Sequence, residues 1–270
     1  MLEKASGNGA DVLIFDLEDA VRPDGKDEAR GLVADVLGAR QEGPPVYVRI
    51  NGLETPWWEE DLRAVLPARP SGIVLPKPRG PDDLETVSAA IARGERSGAA
   101  TGIIAIATET AEGTLSLAAR SWRHPRLRGM MWGGEDLCAA LGGTASRNHD
   151  GTYSDPIRLA RSLCLMAARA AGVAPIDAVY VNHADSDGLR AEVLQARQDG
   201  FQAKAAIHPR QIDVIHAAFA PTGPEVRWAQ EVVAALSHSR TGVAVVAGQM
   251  VDAPHLRRAR AILSQPKFDS

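Results

Sequence analysis

Along most of the chain, short apolar runs alternate with longer stretches whose apolar residues recur at helical spacing, and the short runs keep ending in charged side chains. The first run, residues 11–17, follows Gly9 and ends among Asp16, Glu18 and Asp19; its continuous aliphatic character predicts a strand buried in a parallel sheet. Residues 27–37 then bring Leu32, Val33, Val36 and Leu37 together at helical spacing, with Gly38 as the stop. Residues 46–50, between Pro44-Pro45 and Asn51-Gly52, make the next strand and carry Arg49 and Asn51 to the same end, ahead of a helix with Trp58, Leu62 and Val65. Residues 72–75 end at Pro76-Lys77-Pro78 before a helix bearing Leu84, Val87 and Ile91. Residues 102–107 end in Thr108-Glu109-Thr110, and residues 127–132 end in Gly133-Gly134-Glu135-Asp136.

The stretch 144–155 is polar and rich in turn formers, which predicts a loop over the strand ends. A helix follows with Leu159, Leu163, Met166 and Ala170 on its apolar face and Arg158, Arg161 and Arg169 on a solvated one. Residues 176–181 are a sixth strand ending at Asn182-His183; Asp187 is placed to cap a helix with Leu189, Val193 and Ala196 that stops at Gly200. Residues 203–207, ending at His208-Pro209, are the seventh. Strands recurring every ~25 to 45 residues with helices between them require a parallel sheet of β-α units. The expected architecture is a (β/α)8 TIM barrel, ahead of a doubly wound sheet, since no Gly-x-Gly-x-x-Gly turn follows the first strand. A closed barrel needs one strand more than these runs supply. Residues 1–7 read as the tail of a helix, so the expectation is that the first strand is missing from the front. After Pro221 the pattern changes to a helix at 225–236, a strand-like run at 243–252 and a helix at 254–263. This divides the chain into a barrel domain, 1–222, and a C-terminal arm or lid, 223–270.

The 270 residues suffice for one large core, and 45% apolar with 24% charged residues is ordinary for a soluble globular protein. A net charge of −4 leaves no basic stripe for nucleic acid, and no run reaches the ~20 apolar residues of a membrane span. Partners are therefore expected to be small molecules or further subunits. Cys138 and Cys164 sit in apolar surroundings as reduced thiols, and the N-terminus lacks the cationic flank and apolar core of a secretory signal, so a cytoplasmic location is expected.

A barrel gathers its strand C-termini on one face, where barrel enzymes carry their active sites. That places Asp16, Glu18, Asp19, Arg49, Lys77, Glu109, Glu135, Asp136, His183 and His208 together. Several carboxylates with few histidines or thiols suit a hard, oxygen-preferring ion, Mg2+ or Mn2+, rather than zinc. An arginine opposite such an ion suits an anionic or enolate oxygen. Gly133-Gly134 lets a ligand approach the backbone, though the same pair also serves as a plain turn with Asp136 as a helix cap. Lys77 reads either as a phosphate contact or as a solvated cation, His208 as a ligand contact or a structural hydrogen bonder.

Seven motifs in order carry a family resemblance: residues 16–21 (Asp-Leu-Glu-Asp-Ala-Val), 48–52 (Val-Arg-Ile-Asn-Gly), 75–77 (Leu-Pro-Lys), 109–113 (Glu-Thr-Ala-Glu-Gly), 131–137 (Met-Trp-Gly-Gly-Glu-Asp-Leu), 206–212 (Ala-Ile-His-Pro-Arg-Gln-Ile) and 248–254 (Gly-Gln-Met-Val-Asp-Ala-Pro). The sequence resembles the citrate lyase beta-subunit-like proteins of the HpcH/HpaI aldolase superfamily. The resemblance implies a Mg2+-dependent carbon-carbon lyase, trimeric or hexameric, acting on acyl-CoA thioesters such as citramalyl-CoA or malyl-CoA. It implies Glu109 and Asp136 as metal ligands and Arg49 as the cation at the cleaved bond. The backbone around Gly134 and Glu135 would receive the keto-acid carboxylate, with Lys77 and His208 as further substrate contacts. Glu18 and Asp19 would hold metal-bound waters, and Asp252, on an arm reaching a neighbouring subunit, would exchange the proton of the thioester α-carbon. It also implies a leading strand with a Phe-x-Pro-Gly-like turn that helps bind CoA, after which this sequence begins. A CoA-independent aldolase and a non-catalytic CoA-binding subunit are the rival readings.

Overall fold

The computed structural model describes residues 9–95, 100–239 and 241–264; the helix tail expected at residues 1–7 lies outside them. Seven strands, β1 (Leu13–Asp16), β2 (Val46–Arg49), β3 (Gly72–Leu75), β4 (Gly102–Ile106), β5 (Leu127–Met131), β6 (Ala174–Asp177) and β7 (Ala203–Lys204), form one parallel sheet in sequential order. Helices α1 (Lys26–Ala39), α2 (Trp58–Val65), α3 (Pro81–Gly94), α4 (Ala111–Ala119), α5 (Glu135–Ala140), α6 (Asp155–Ala171) and α7 (Ser186–Asp199) connect them, and α8 (Ile212–Phe219) follows β7.

Strand alternation sorts the core into two faces. Leu13, Phe15, Val46, Val48, Ile73 and Leu75 join the large core with Val33 and Leu37 of α1, Leu62 of α2 and Leu84, Val87 and Ile91 of α3. The intervening residues Val74, Ile104, Ile106 and Met131 form a separate cluster on the inner face, with Tyr47, Ile176 and Ala205 against it. The seven strands expected of a (β/α)8 barrel without its first strand are present as one curled parallel sheet; among the described residues β1 pairs only with β2, and β7 only with β6. Ile14, on the inner face of the edge strand, remains 41% exposed.

Three local expectations change. The sixth strand ends at Asp177 instead of continuing to residue 181, and the seventh is two residues long. The cap of α7 is Asp185, whose side chain accepts from the Gly188 N–H at 2.9 Å, and not Asp187. Helix α6 is turned relative to the expected face: Ile157, Ala160, Cys164 and Ala168 are buried, while Leu159 and Met166 stand 60% and 58% exposed. Small side chains at those positions let the helix approach the sheet closely. The rotation takes Arg161 out of solvent, to donate to Asp177 at 3.3 Å and Asp199 at 2.5 Å while lying over Phe201.

Beyond α8, the helix α9 (Gly223–Ser237), the strands β8 (Ala244–Val246) and β9 (Gln249–Val251) and the helix α10 (Ala253–Leu263) enclose a small core of their own, with Val232, Val246, Val251 and Ala259 buried. The strand-like run 243–252 is an antiparallel hairpin turning at Ala247-Gly248, both at positive φ as such a two-residue turn requires. Among the described residues no helix is long and apolar enough to cross a membrane.

Candidate active site

The register of β1 on β2 sets Asp16 opposite Arg49, and the two close a bidentate pair, Nε to Oδ1 at 2.8 Å and Nη2 to Oδ2 at 2.6 Å. Two parallel charge-assisted bonds fix the guanidinium plane. Burial opposes the Asp16 carboxylate, but Arg49 and the Glu18 and Ala20 amides outweigh it and hold its pKa below the usual value. The third nitrogen of Arg49, Nη1, lies 2.8 Å from Glu18 Oε2 and 3.5 Å from Asp19 Oδ2. Glu18 Oε2 is buried and has no hydrogen-bond partner, so the Arg49 contact is a charge pairing that leaves N–H capacity at Nη1.

Lys77 sits inside this acidic group. Its ammonium hydrogen-bonds Glu18 and lies 3.3 Å from Asp136 Oδ1, and its backbone N–H donates to Glu109 Oε2 at 2.8 Å. The backbone is left-handed there, φ 50°, a conformation that costs a non-glycine residue energy and is found where the surroundings impose it. The ammonium is thus tied into the acidic group with about a quarter of the side chain exposed, 23%.

Glu109 is 5% exposed, and burial, reinforced by the Asp136 charge against the opposing Lys77 N–H, pushes its carboxyl up to about 8. Across from it, Thr108 Oγ1 accepts from the Gly133 N–H at 3.0 Å, locking the ends of β4 and β5 together. A Cβ on Gly133 would come within 2.7 Å of Glu109 Cγ, so this glycine is what allows the carboxylate to lie against the turn. Gly134 precedes α5, and Glu135 and Asp136 open it. Glu135 accepts from Ser146 Oγ at 2.6 Å, which ties it to the covering loop.

These groups border one cavity of about 380 Å3, lined by Asp16, Asp19, Arg49, Glu109, Gly134 and Asp136 on one side and by Arg147 and Tyr153 of the loop on another. Glu18 and Lys77 do not line it but pair with residues that do, Glu18 with Arg49 and Lys77 with Asp136. Two expected residues stand apart. His208 caps the short turn Pro209–Gln211, accepting from the Arg210 N–H at 3.1 Å, and stacks on His183 with ring centroids 5.1 Å apart. Asp252 is at the start of α10 in the arm, 2.7 Å from His255 Nδ1, outside the cavity of its own chain.

Sequence reasoning missed Lys26. Its buried ammonium donates to the carbonyls of Leu17 and Glu18, both at 2.7 Å, and holds the acidic turn from behind. Asn51, itself bound to the fully buried Asp61, supports the same Leu17 carbonyl at 3.0 Å. Lys26→Met is expected to lower stability by about 2 kcal/mol, read by urea unfolding, because two carbonyls lose a charged donor.

Residues 1–209 match the family model described as HpcH/HpaI aldolase/citrate lyase. A (3S)-malyl-CoA thioesterase of Cereibacter sphaeroides is 40% identical, over 98% of this chain and 89% of its own. An L-malyl-CoA/beta-methylmalyl-CoA lyase of the same organism is 31% identical over 100% of this chain and 92% of its own. The crystal structure of protein CitE from Mycobacterium tuberculosis in complex with magnesium, acetoacetate and coenzyme A superposes with a TM-score of 0.82 at 35% identity, over 97% of this chain and 91% of that one. The family-model match and these likenesses place the chain in the HpcH/HpaI aldolase/citrate lyase family, a family of aldolase and lyase type.

Proposed function

We propose that the chain is a Mg2+-dependent lyase that cleaves, or in reverse forms, a β-hydroxyacyl-CoA thioester such as malyl-CoA or citramalyl-CoA, yielding acetyl-CoA and a 2-keto acid. The observation that carries this reading is the convergence of Arg49, Glu109 and Asp136 on one cavity at the strand ends. The donor set fits a hard cation. Glu109 and Asp136 offer carboxylate oxygens to the cavity, and Asp19 lines the same wall where an ion's water shell would lie. Two carboxylates leave the rest of the ion's oxygen shell to water and substrate.

Cleavage passes the electron pair of the breaking carbon-carbon bond to the acetyl thioester as an enolate while the β-hydroxyl oxygen becomes the keto oxygen and its proton passes to solvent, balancing the proton that the enolate carbon then takes up. Mg2+, when bound by Glu109 and Asp136, supplies positive charge for the oxygens of the keto-acid fragment. Arg49, oriented by Asp16, turns its free N–H capacity toward the same oxygen. Backbone at Gly134 and Glu135 receives the keto-acid carboxylate. Asp252 of a neighbouring subunit protonates the enolate carbon; its place on an arm with a core of its own, outside its own cavity, supports that assignment and a homotrimer or hexamer. Mixing inactive Glu109→Ala and Asp252→Asn proteins is then expected to restore roughly a quarter to a third of wild-type turnover, checked by rate assay after subunit exchange. The two buried free thiols support a reducing, cytoplasmic setting.

Metal binding requires the Glu109 carboxylate, which in the free protein is protonated until the pH approaches 8. The affinity for Mg2+ is therefore expected to rise as pH climbs from 6 to 8, with about one proton released per ion, as read by calorimetry in buffers of different ionisation enthalpy.

Incubation with Mg2+ and malyl-CoA, citramalyl-CoA or methylmalyl-CoA, followed by mass spectrometry, tests the reaction. Acyl-CoA and keto acid as products support the lyase. Free CoA and hydroxy acid support hydrolysis, the second reading, which the 40%-identical thioesterase favours. Turnover of a CoA-free hydroxy-keto acid alone, or of nothing, overturns both in favour of an aldolase or a binding subunit.

A further inference from the structure

The loop over the cavity is a small hairpin. Arg147 and Tyr153 pair as an antiparallel bridge, the Ser154 N–H donates to the Ser146 carbonyl at 2.9 Å, and the Asn148 N–H donates to that of Thr152 at 2.7 Å. Both bridge residues face the cavity, with the Arg147 guanidinium 3.7 Å from the centre of the Tyr153 ring. Glu192, on α7, reaches the two at once. Arg147 Nη2 donates to its Oε2 at 2.7 Å and the Tyr153 hydroxyl to its Oε1 at 3.1 Å.

Glu192 is itself held from within. The fully buried Lys204 ammonium donates to Glu192 Oε1 at 2.8 Å, to Asp177 Oδ2 at 2.7 Å and to the Ala178 carbonyl at 2.7 Å. Burial works against the Glu192 carboxylate, but Lys204 and Arg147 more than offset it and keep it ionised below the usual glutamate value. From Asp177 the network returns to the site, since Trp132 Nε1 donates to Asp177 Oδ1 at 2.7 Å and its ring meets Tyr153 edge-on at 5.0 Å. Trp132 immediately precedes Gly133-Gly134, and Glu135 is bonded to Ser146 at the other end of the hairpin. A ring of polar contacts thus encloses the glycine turn.

We propose that Glu192 is a positioning residue: through Arg147 and Tyr153 it latches the 146–154 hairpin to α7 and so fixes the wall that limits the size of the group bound beside Gly133-Gly134. Glu192 does not line the cavity, so it acts through these two side chains. That the group is the keto-acid end of the substrate rests on the lyase reading above.

The test compares wild type, Glu192→Ala and Tyr153→Phe in two measurements. In the first, which needs no activity, amide exchange at Asn148 and Ser154 is expected to quicken about tenfold or more in Glu192→Ala while amides of the sheet change less than about twofold. In the second, condensation of acetyl-CoA with glyoxylate, pyruvate and 2-oxobutyrate is expected to show kcat/KM for the largest acid rising about fivefold relative to the smallest, with KM for acetyl-CoA unchanged. Unchanged hairpin exchange overturns the latch. Faster exchange with unchanged size preference overturns the specificity role. If Glu192→Ala fails to fold, Tyr153→Phe, which removes only the hydroxyl, decides both by the same changes at smaller size. A wild-type enzyme that condenses none of the acids overturns the lyase reading and the size-selection role with it, while exchange at Asn148 and Ser154 still decides the latch.

Discussion

Glu109→Gln is expected to lower kcat/KM about a thousandfold and to weaken Mg2+ binding about a hundredfold, while making the metal-free protein more stable. The three effects share one cause. Glutamine keeps the shape and offers a carbonyl oxygen to the Lys77 N–H that Glu109 now accepts at 2.8 Å, so the turn keeps its geometry. It removes a carboxyl that burial and the Asp136 charge have pushed up to about 8. A carboxyl whose pKa is raised on folding contributes its stability below the unfolded value, near 4.5, and that contribution is lost as pH rises through about 8. Glutamine escapes the loss. The margin of the variant over wild type should therefore open above pH 4.5 and widen until about 8, as read by urea unfolding with EDTA present. A residue serving only the fold would lose stability along with activity, so a gain in one with a loss in the other isolates the functional role. Equal losses in both would overturn the ligand assignment.

Arg49→Met is expected to abolish measurable turnover, a fall of about a thousandfold or more, and to cost about 3 kcal/mol of stability. Here the fold and the chemistry depend on the same cation. Methionine leaves Asp16 without its bidentate partner and takes from Glu18 the guanidinium now 2.8 Å from Oε2. Asp16, held below its usual pKa, stabilises the fold above pH 3.8 and loses that contribution as pH falls through the depressed value. The variant should lose this protection and begin acid unfolding at higher pH. Arg49→Lys tests geometry against charge: it keeps the cation without the fork, and a fall of about a hundredfold in kcat/KM is expected with most of the stability kept. Wild-type turnover in Arg49→Lys would show that the fork has no part in the reaction.

The strand ends were legible because β-strands of this kind announce themselves as aliphatic runs and a parallel sheet directs their C-termini to one edge. That rule alone brought Glu18, Asp19, Arg49, Glu109 and Asp136 to the same place. Contacts that join positions far apart in the chain were not legible. Lys26 reads as an ordinary helical lysine until its ammonium is found on the Leu17 and Glu18 carbonyls, and Glu192 meets Arg147 across 45 residues. Apolar periodicity carries no record of a buried ion pair. The helix face was misjudged for a related reason: the pattern weighted Leu159 and Met166, whereas close packing selected Ala160, Cys164 and Ala168. Lys77 was placed at the right strand end, but its left-handed backbone and its amide contact to Glu109 follow from the fold and not from residue type. The strand count could be read; the openness of the sheet is a property of pairing at its edges.

The order of strands has a kinetic consequence. Each strand pairs with the next one along the chain, so every pairing closes a local loop, one helix and its turns except between β5 and β6, where α5, the hairpin and α6 intervene. Any adjacent β-α-β unit is equipped to nucleate, and the sheet then grows outward by adding neighbours, with no long-range pairing required of its interior. A chain emerging from the ribosome meets these partners in the order in which they pair, so β1 to β5, with Asp16, Arg49 and Glu109 at or beside their ends, are able to assemble before the arm has been synthesised.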